Sequence, residues 1–179
     1  MSMVFGAVSQ IGIISRDLEQ SVDFFATRLG IGPWFVMRHY PLKTCLYRGT
    51  PIDLDFSVAL SNSGSMQIEI VQQNDNGPSM YREFLDTHPG RTHIQHVAFR
   101  TENVDAAMAD LAARGFFSLQ EGTTANGRFG YLVHPQEPGI CVEISVLTEQ
   151  RARLFRAIEE EARAWDGTAP LREGMPRLD

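Results

Sequence analysis

Four polar side chains stand where a metal site would need them. Side chains alternate between the two faces of a strand, so the apolar members of a run fix which way the others point. In MQIEIVQ, residues 66–72, Met66, Ile68 and Ile70 claim one face and leave Gln67, Glu69 and Val71 on the other. In ICVEISV, Ile140, Val142, Ile144 and Val146 do the same, which turns Glu143 to the opposite face beside Cys141 and Ser145. Gln10 and His96 head two runs, QIGIISRDLEQSV and HVAFRTENVDAAM, that align without a gap. Two carboxylates, an imidazole and an amide suit one divalent ion of intermediate hardness (Zn²⁺, Ni²⁺, Co²⁺, Mn²⁺ or Fe²⁺), with positions left for water or substrate. A lone Glu or His in a strand is more often an exposed residue or a satisfied partner. Two carboxylates at matching places in two repeats raise the metal reading above that.

The elements that must position these residues come in one order, twice, as an internal duplication would give. The first module, residues 5–75, opens with the β-branched run Val8 to Ser15. Leu18, Val22, Phe25 and Leu29 then recur at helical spacing, with Asp17 as N-cap and Gly30 as stop. Strands are expected over Trp34 to Tyr40, Leu54 to Leu60 and Met66 to Gln72, with Asn62-Ser63-Gly64 as a turn. Residues 76–92 read as a linker helix, Pro78 to Thr87, with Pro78 near its first turn and Tyr81, Phe84 and Leu85 on one face. In the second module, residues 93–147, the strand His96 to Thr101 leads to a helix capped by Asn103, striped by Val104, Met108 and Leu111 and stopped by Gly115. Strands near Phe116 to Gln120, Gly130 to His134 and Cys141 to Val146 complete it. Residues 148–165 form a charged helix, a lid or dimer element, and 166–179 a flexible tail rich in Gly, Pro and charge. The fold class is α+β: two βαβββ repeats forming a curved mixed-sheet cup, plus a C-terminal helix. A pseudo-twofold between the repeats would bring the four polar residues together at the seam.

With 179 residues, 43% of them apolar, the chain can build one compact core. Its net charge of -6 excludes a nucleic-acid or anionic-membrane partner on electrostatic grounds and leaves a small molecule. No run approaches the roughly 18 apolar residues of a membrane span, and MSMVFGAVSQ lacks the basic head of a signal peptide. Cys45 and Cys141 belong to no CxxC pair and read as packed free thiols. A reducing, cytoplasmic location is expected.

The segments SQIGIISRDLEQSVDFFATRLG, MQIEIVQ, THIQHVAFRTENVDAAMADLAARGF and FGYLVHPQEPGICVEISV resemble the vicinal-oxygen-chelate superfamily. That superfamily includes glyoxalase I, methylmalonyl-CoA epimerase, extradiol dioxygenases and bleomycin-resistance proteins. The likeness covers residues 5 to 147 and is nearest the methylmalonyl-CoA epimerase-like branch. It implies that Glu69, His96 and Glu143 fall on ligand positions. Gln10 departs from the epimerases, which carry His there, and matches some glyoxalase I enzymes. The implied chemistry removes a proton next to a carbonyl, with the metal as Lewis acid and a loosely held carboxylate as base, Glu143 first and Glu69 second.

The epimerases also place a glutamate on the third strand as an opposing base. Here that strand is IDLDFSVAL, whose concave face would show Asp53, Asp55, Ser57 and Ala59, so Asp55 is the shorter substitute unless it lies at an exposed strand start. Trp34, Phe35, His39, Tyr47, Phe129 and Tyr131 offer aromatic walls, and Arg38, Arg100 or Arg128 a grip on a carboxylate or phosphate. His93 is expected on the face opposite His96, and His134 in a turn. The expected function is that of a metal-dependent isomerase, epimerase or lyase acting on a small carbonyl compound, as a homodimer, with the seam within one chain or between two. A metal-free protein that binds an antibiotic or metabolite, and a metal-dependent dioxygenase, are the competing classes.

Overall fold

The computed structural model describes residues 2–178; Met1 and the last residue of the tail, Asp179, lie outside it. The first module runs β1 (Gln10–Ser15), α1 (Leu18–Leu29), β2 (Trp34–Met37), β3 (Leu42–Tyr47), β4 (Thr50–Pro51), β5 (Phe56–Ser63) and β6 (Met66–Gln73). Helix α2 (Met80–Thr87) follows, then β7 (Thr92–Thr101), α3 (Val104–Ala113), β8 (Phe117–Thr124), β9 (Gly127–His134) and β10 (Glu137–Val146). Helix α4 (Glu149–Ala164) and β11 (Leu171–Glu173) complete the chain. The Asp17 side chain accepts from the Gln20 N–H to open α1, and Gly30 closes it at φ 66°, a left-handed geometry that costs glycine no Cβ clash. Asn103 caps α3 in the same way. Helix α2 starts two residues later than expected, at Met80, because Ser79 accepts from the Arg82 N–H and leaves Pro78 outside.

The strands form one mixed sheet in the order β11-β2-β5-β6-β1-β7-β10-β9-β8-β3-β4. Within each module the first strand runs parallel to the last, β1 with β6 and β7 with β10, and the modules join through antiparallel β1 and β7. The seam therefore lies within one chain. Strands β3 and β4 were not expected. Although β3 follows β2 directly, it pairs antiparallel with β8 at the far side of the second module, from Leu42 opposite Thr124 to Tyr47 opposite Gln120. The tail is likewise not free: Leu171–Glu173 pairs parallel to Trp34–Val36 on the edge of β2.

Helices α1 and α3 cover the convex face. Leu18 and Val22 of α1 pack on Ile13, Ile68, Ile70 and Trp34, and Val104 and Leu111 of α3 pack on Leu132, Val142 and Ile144. The concave face is filled as well. Met80, Tyr81 and Leu85 of α2 and Ile158 of α4 pack inside the curve with Ile14, Val58, Val71, Tyr131 and Cys141. Helix α2, which connects the modules, is thus also a core element, and α4 closes over the concavity with Ile158 fully buried.

Three expectations about faces are corrected. Phe56, Val58 and Leu60 of β5 point inward, Leu60 pairing with Glu69, while Ala59 packs under α1; Ser57 and Ala59 therefore face away from the concavity, and Asp55 lies before the strand. The larger apolar set turns inward because α2 and α4 fill the concavity. Ile140 is exposed because β10 leaves its register with β9 between Glu137 and Cys141. Finally, β7 carries a bulge: Gly12 pairs with His96 but Ile13 with Ile94, leaving Gln95 as the extra residue. The extra residue returns His93 to the same face as His96, where its ring packs against Phe84 and His88.

Candidate metal centre

Strand β6 delivers Glu69, β7 His96 and β10 Glu143 to one point. Glu69, Gly12, His96 and Cys141 stand side by side across β6, β1, β7 and β10, and Glu143 lies one inward position further along, opposite Ala98. His96 Nε2 is 3.4 Å from Glu69 Oε2 and 3.2 Å from Glu143 Oε2. The ligand atoms of the three residues all lie within 4.8 Å of one another. Each of these three atoms is buried, and none makes an aligned hydrogen bond. Buried polar atoms are almost always satisfied, so three such atoms converging on one spot form a candidate cation site. One imidazole nitrogen and two carboxylate oxygens are a donor set that fits a divalent transition ion.

Without a cation the trio must hold a proton instead. Burial disfavours the His96 imidazolium, but the bonds and charges of Glu143 and then Glu69 outweigh it and carry the pKa up to about 9. Burial works to raise the Glu143 pKa, yet His96, with help from Arg151, pulls it below the usual carboxylate value.

Two neighbours shape the ring's position. A Cβ on Gly12 would stand 1.8 Å from His96 Cε1, so the imidazole lies flat in the space that the glycine leaves. The bulge residue Gln95 is buried, and its Oε1 lies 2.7 Å from His96 Nδ1. An amide oxygen can only accept, so Nδ1 carries the hydrogen and Nε2 keeps its lone pair for a ligand position when the ring is neutral. Neither residue was singled out in the sequence. The signal for Gly12 was present: a glycine inside a β-branched run marks a close approach. A bulge has no such signature.

Gln10 is buried in the row Gln67, Gln10, Ala98, Glu143, with its Oε1 accepting from Arg100 Nη2 at 3.3 Å. Asp55 is not brought to the trio. It precedes β5, its side chain is 42% exposed, and its carboxylate meets His39 Nδ1 at 2.9 Å and the Asn74 amide. The charged candidates divide sharply. Arg38 pairs with Glu19 and Glu173, and Arg128 with Glu121 and Asp105. Arg100 forms no ion pair among the described residues; Gln67 Oε1 accepts from it at 2.5 Å, and its guanidinium lies 3.7 Å over the Phe155 ring of α4. Burial, then the nearby Arg151 charge, lowers the Arg100 pKa to about 10, which leaves it charged at neutral pH. Of the aromatic candidates, Tyr131 packs edge-on against His96 with ring centroids 5.0 Å apart, whereas Trp34 belongs to the core under α1. His39 is exposed on Asp55, and Tyr47 bonds Glu83 at the surface.

Residues 9–132 match the family model of the glyoxalase/bleomycin resistance protein/dioxygenase superfamily, and the chain belongs to that superfamily. Its fold is shared with a hypothetical protein from Bacillus halodurans at 18% identity and a TM-score of 0.57, covering 80% of this chain and 96% of that one. Methylmalonyl-CoA epimerase from Mycobacterium tuberculosis gives 18% identity and a TM-score of 0.57, over 85% of this chain and 95% of its own. A Streptomyces coelicolor methylmalonyl-CoA epimerase variant, solved with 2-nitronate-propionyl-CoA, gives 19% and 0.52 over 79% and 94%. At these identities the likeness establishes the fold alone. No functionally curated protein matches the chain in sequence. No helix among the described residues is long and apolar enough to cross a membrane.

Proposed function

We propose that this protein is a metal-dependent enzyme of the isomerase, epimerase or lyase type that moves a proton on a carbon next to a carbonyl group of a small molecule. The observation that carries the reading is the convergence of three buried, unbonded donor atoms, Glu69 Oε2, His96 Nε2 and Glu143 Oε2. Glu69, His96 and Glu143 would hold the ion, and Gln10 joins them only by giving up its bond to Arg100. When bound, a divalent ion would polarise a carbonyl oxygen as a Lewis acid. Glu143 is the proton acceptor, a carboxylate held loosely enough to turn from the ion to the carbon acid: it is ionised at neutral pH and sits in a water-poor wall, where a positioned base contributes roughly 10²–10⁴-fold. Glu69 takes that role second. The burial of the trio keeps bulk water from quenching the carbanion.

Elemental analysis of gently purified protein, followed by incubation in heavy water with acyl thioesters and with 2-oxo and 2-hydroxy carbonyl compounds, tests this. Stoichiometric metal and deuterium on the carbon beside a carbonyl are expected, with Glu143→Gln keeping part of the metal but losing exchange. Bound metal with no exchange in any compound removes the proton-transfer assignment.

A further inference from the structure

Arg100 sits on the same inward face of β7 as His96, beyond Ala98, and pairs in register with Ser145 of β10, the next inward residue after Glu143. One strand repeat, roughly 7 Å, therefore separates its row from that of Glu143. Its surroundings are unusual for an arginine. Two glutamine oxygens, those of Gln10 and Gln67, hold one end of the guanidinium, and the Phe155 ring covers its plane. It forms no ion pair among the described residues, the charges of Glu143 and Glu69 reaching it only from a distance, while Arg38 and Arg128 each pair with two carboxylates. Its Nε is buried without an acceptor, and so is Nε2 of the adjoining Gln67. Stacking on Phe155 occupies the plane of the guanidinium and leaves the edge, where N–H groups point, to meet a ligand. A charge without a direct ion pair and two unanswered donors on the wall of a centre call for an anionic acceptor.

We propose that Arg100 is the residue that recognises an anionic group of the substrate, so that the centre takes a small carbonyl compound that bears a carboxylate. This rests on the proton-transfer reading of the same site. Gln67 supplies a second donor to the anion, and Phe155 keeps water off the pair, which strengthens it. Arg100 is then a specificity-determining residue and takes no part in moving the proton.

The test is calorimetric titration of the 179-residue chain with malonate, and with acetate as the single-carboxylate control, after Zn²⁺ loading and again after chelation. Malonate is expected to bind the loaded protein more tightly than acetate, and Arg100→Gln to weaken malonate by roughly 10- to 100-fold, the loss of one charge-assisted hydrogen-bond pair. Metal stoichiometry is expected to stay unchanged. Arg100→Lys keeps the charge but not the paired donors, and is expected to fall between the two; it decides the matter if Arg100→Gln does not fold. Wild-type malonate affinity in either variant overturns the proposal, as does metal-loaded protein that binds no malonate. Arg100-dependent malonate binding by protein that takes up no metal supports the proposal and removes the metal reading instead.

Discussion

Replacing Gly12 by alanine adds one methyl group at the most crowded point of the centre. That Cβ would lie 1.8 Å from His96 Cε1, 1.9 Å from Nε2 and 2.3 Å from Nδ1, against the ~3.5–4.0 Å of an ordinary contact. The ring, or the strand beneath it, must therefore move by about 1.5–2 Å. Overpacking alone costs about 1–3 kcal/mol. The displaced ring also leaves Gln95 Oε1 and the two carboxylates, and uncoupling a buried pair costs about 3–5 kcal/mol when nothing replaces the partner. Strand relaxation recovers some of this, so a total of about 2–5 kcal/mol is expected. At ~2–4 °C per kcal/mol for a chain of this size, the metal-free melting temperature should fall by about 4–20 °C. Differential scanning calorimetry measures it, and elemental analysis should show lost metal. Gly130→Ala is the control, because its Cβ would meet only the flexible end of Met108, 2.8 Å away, and should shift melting by less than ~3 °C. If Gly12→Ala melts within 2 °C of the parent and holds as much metal, the ring does not occupy the glycine's space and the geometry argued for His96 is wrong.

Gln95→Leu removes the acceptor at His96 Nδ1 and should weaken metal binding by about 10- to 100-fold with the fold intact; competition against a chromophoric chelator would read it, and unchanged affinity would deny Gln95 an orienting role. Ile158→Ala should cost about 2–5 kcal/mol in urea unfolding, since this residue of α4 is fully buried in the concave core, whereas a loss below ~1 kcal/mol would mean that α4 is a loosely held lid. Burial pushes the Cys45 thiol up to about 11 and that of Cys141 to about 12, so thiolate is scarce until the pH nears those values. A disulfide reagent at pH 8 should therefore find no thiol in the folded protein and two after denaturation, and rapid native labelling would contradict the packing of both.

What could be read in advance depended on whether a strand had one clean apolar face. MQIEIVQ and ICVEISV do, so Glu69 and Glu143 came out on the inner wall, and the two aligned repeats brought His96 to the seam. Strand β5 alternates bulky apolar residues inward with Ser57, Ala59 and Ser61 outward, and the inward choice depends on α2 and α4 filling the concavity, which is why Ser57 and Ala59 were placed on the wrong face, while Asp55 lies at the exposed strand start. Strand β3 owes its place to pairing along its length with β8, a contact between residues 73 (Tyr47 and Gln120) to 82 (Leu42 and Thr124) positions apart that no local pattern encodes. Leu171–Glu173 is too short for periodicity and is a strand only because β2 offers it an open edge. Gln95 turns toward His96 because β7 holds one residue more than β1 requires, a mismatch visible only once the two are laid side by side.

The placement of β3 also limits how the protein can breathe. Strands β2 and β3 stand near opposite ends of the sheet, yet only residues 38–41 connect them. That tether can reach ~17 Å at full stretch, so the two rims of the sheet are held like a drawstring. A ligand cannot enter by the modules parting, as the jaws of a clamp would. Admission falls to the helices that fill the opening, α2 and α4, and the departure of α4, which carries Phe155 against Arg100, would leave every strand pairing across the seam in place.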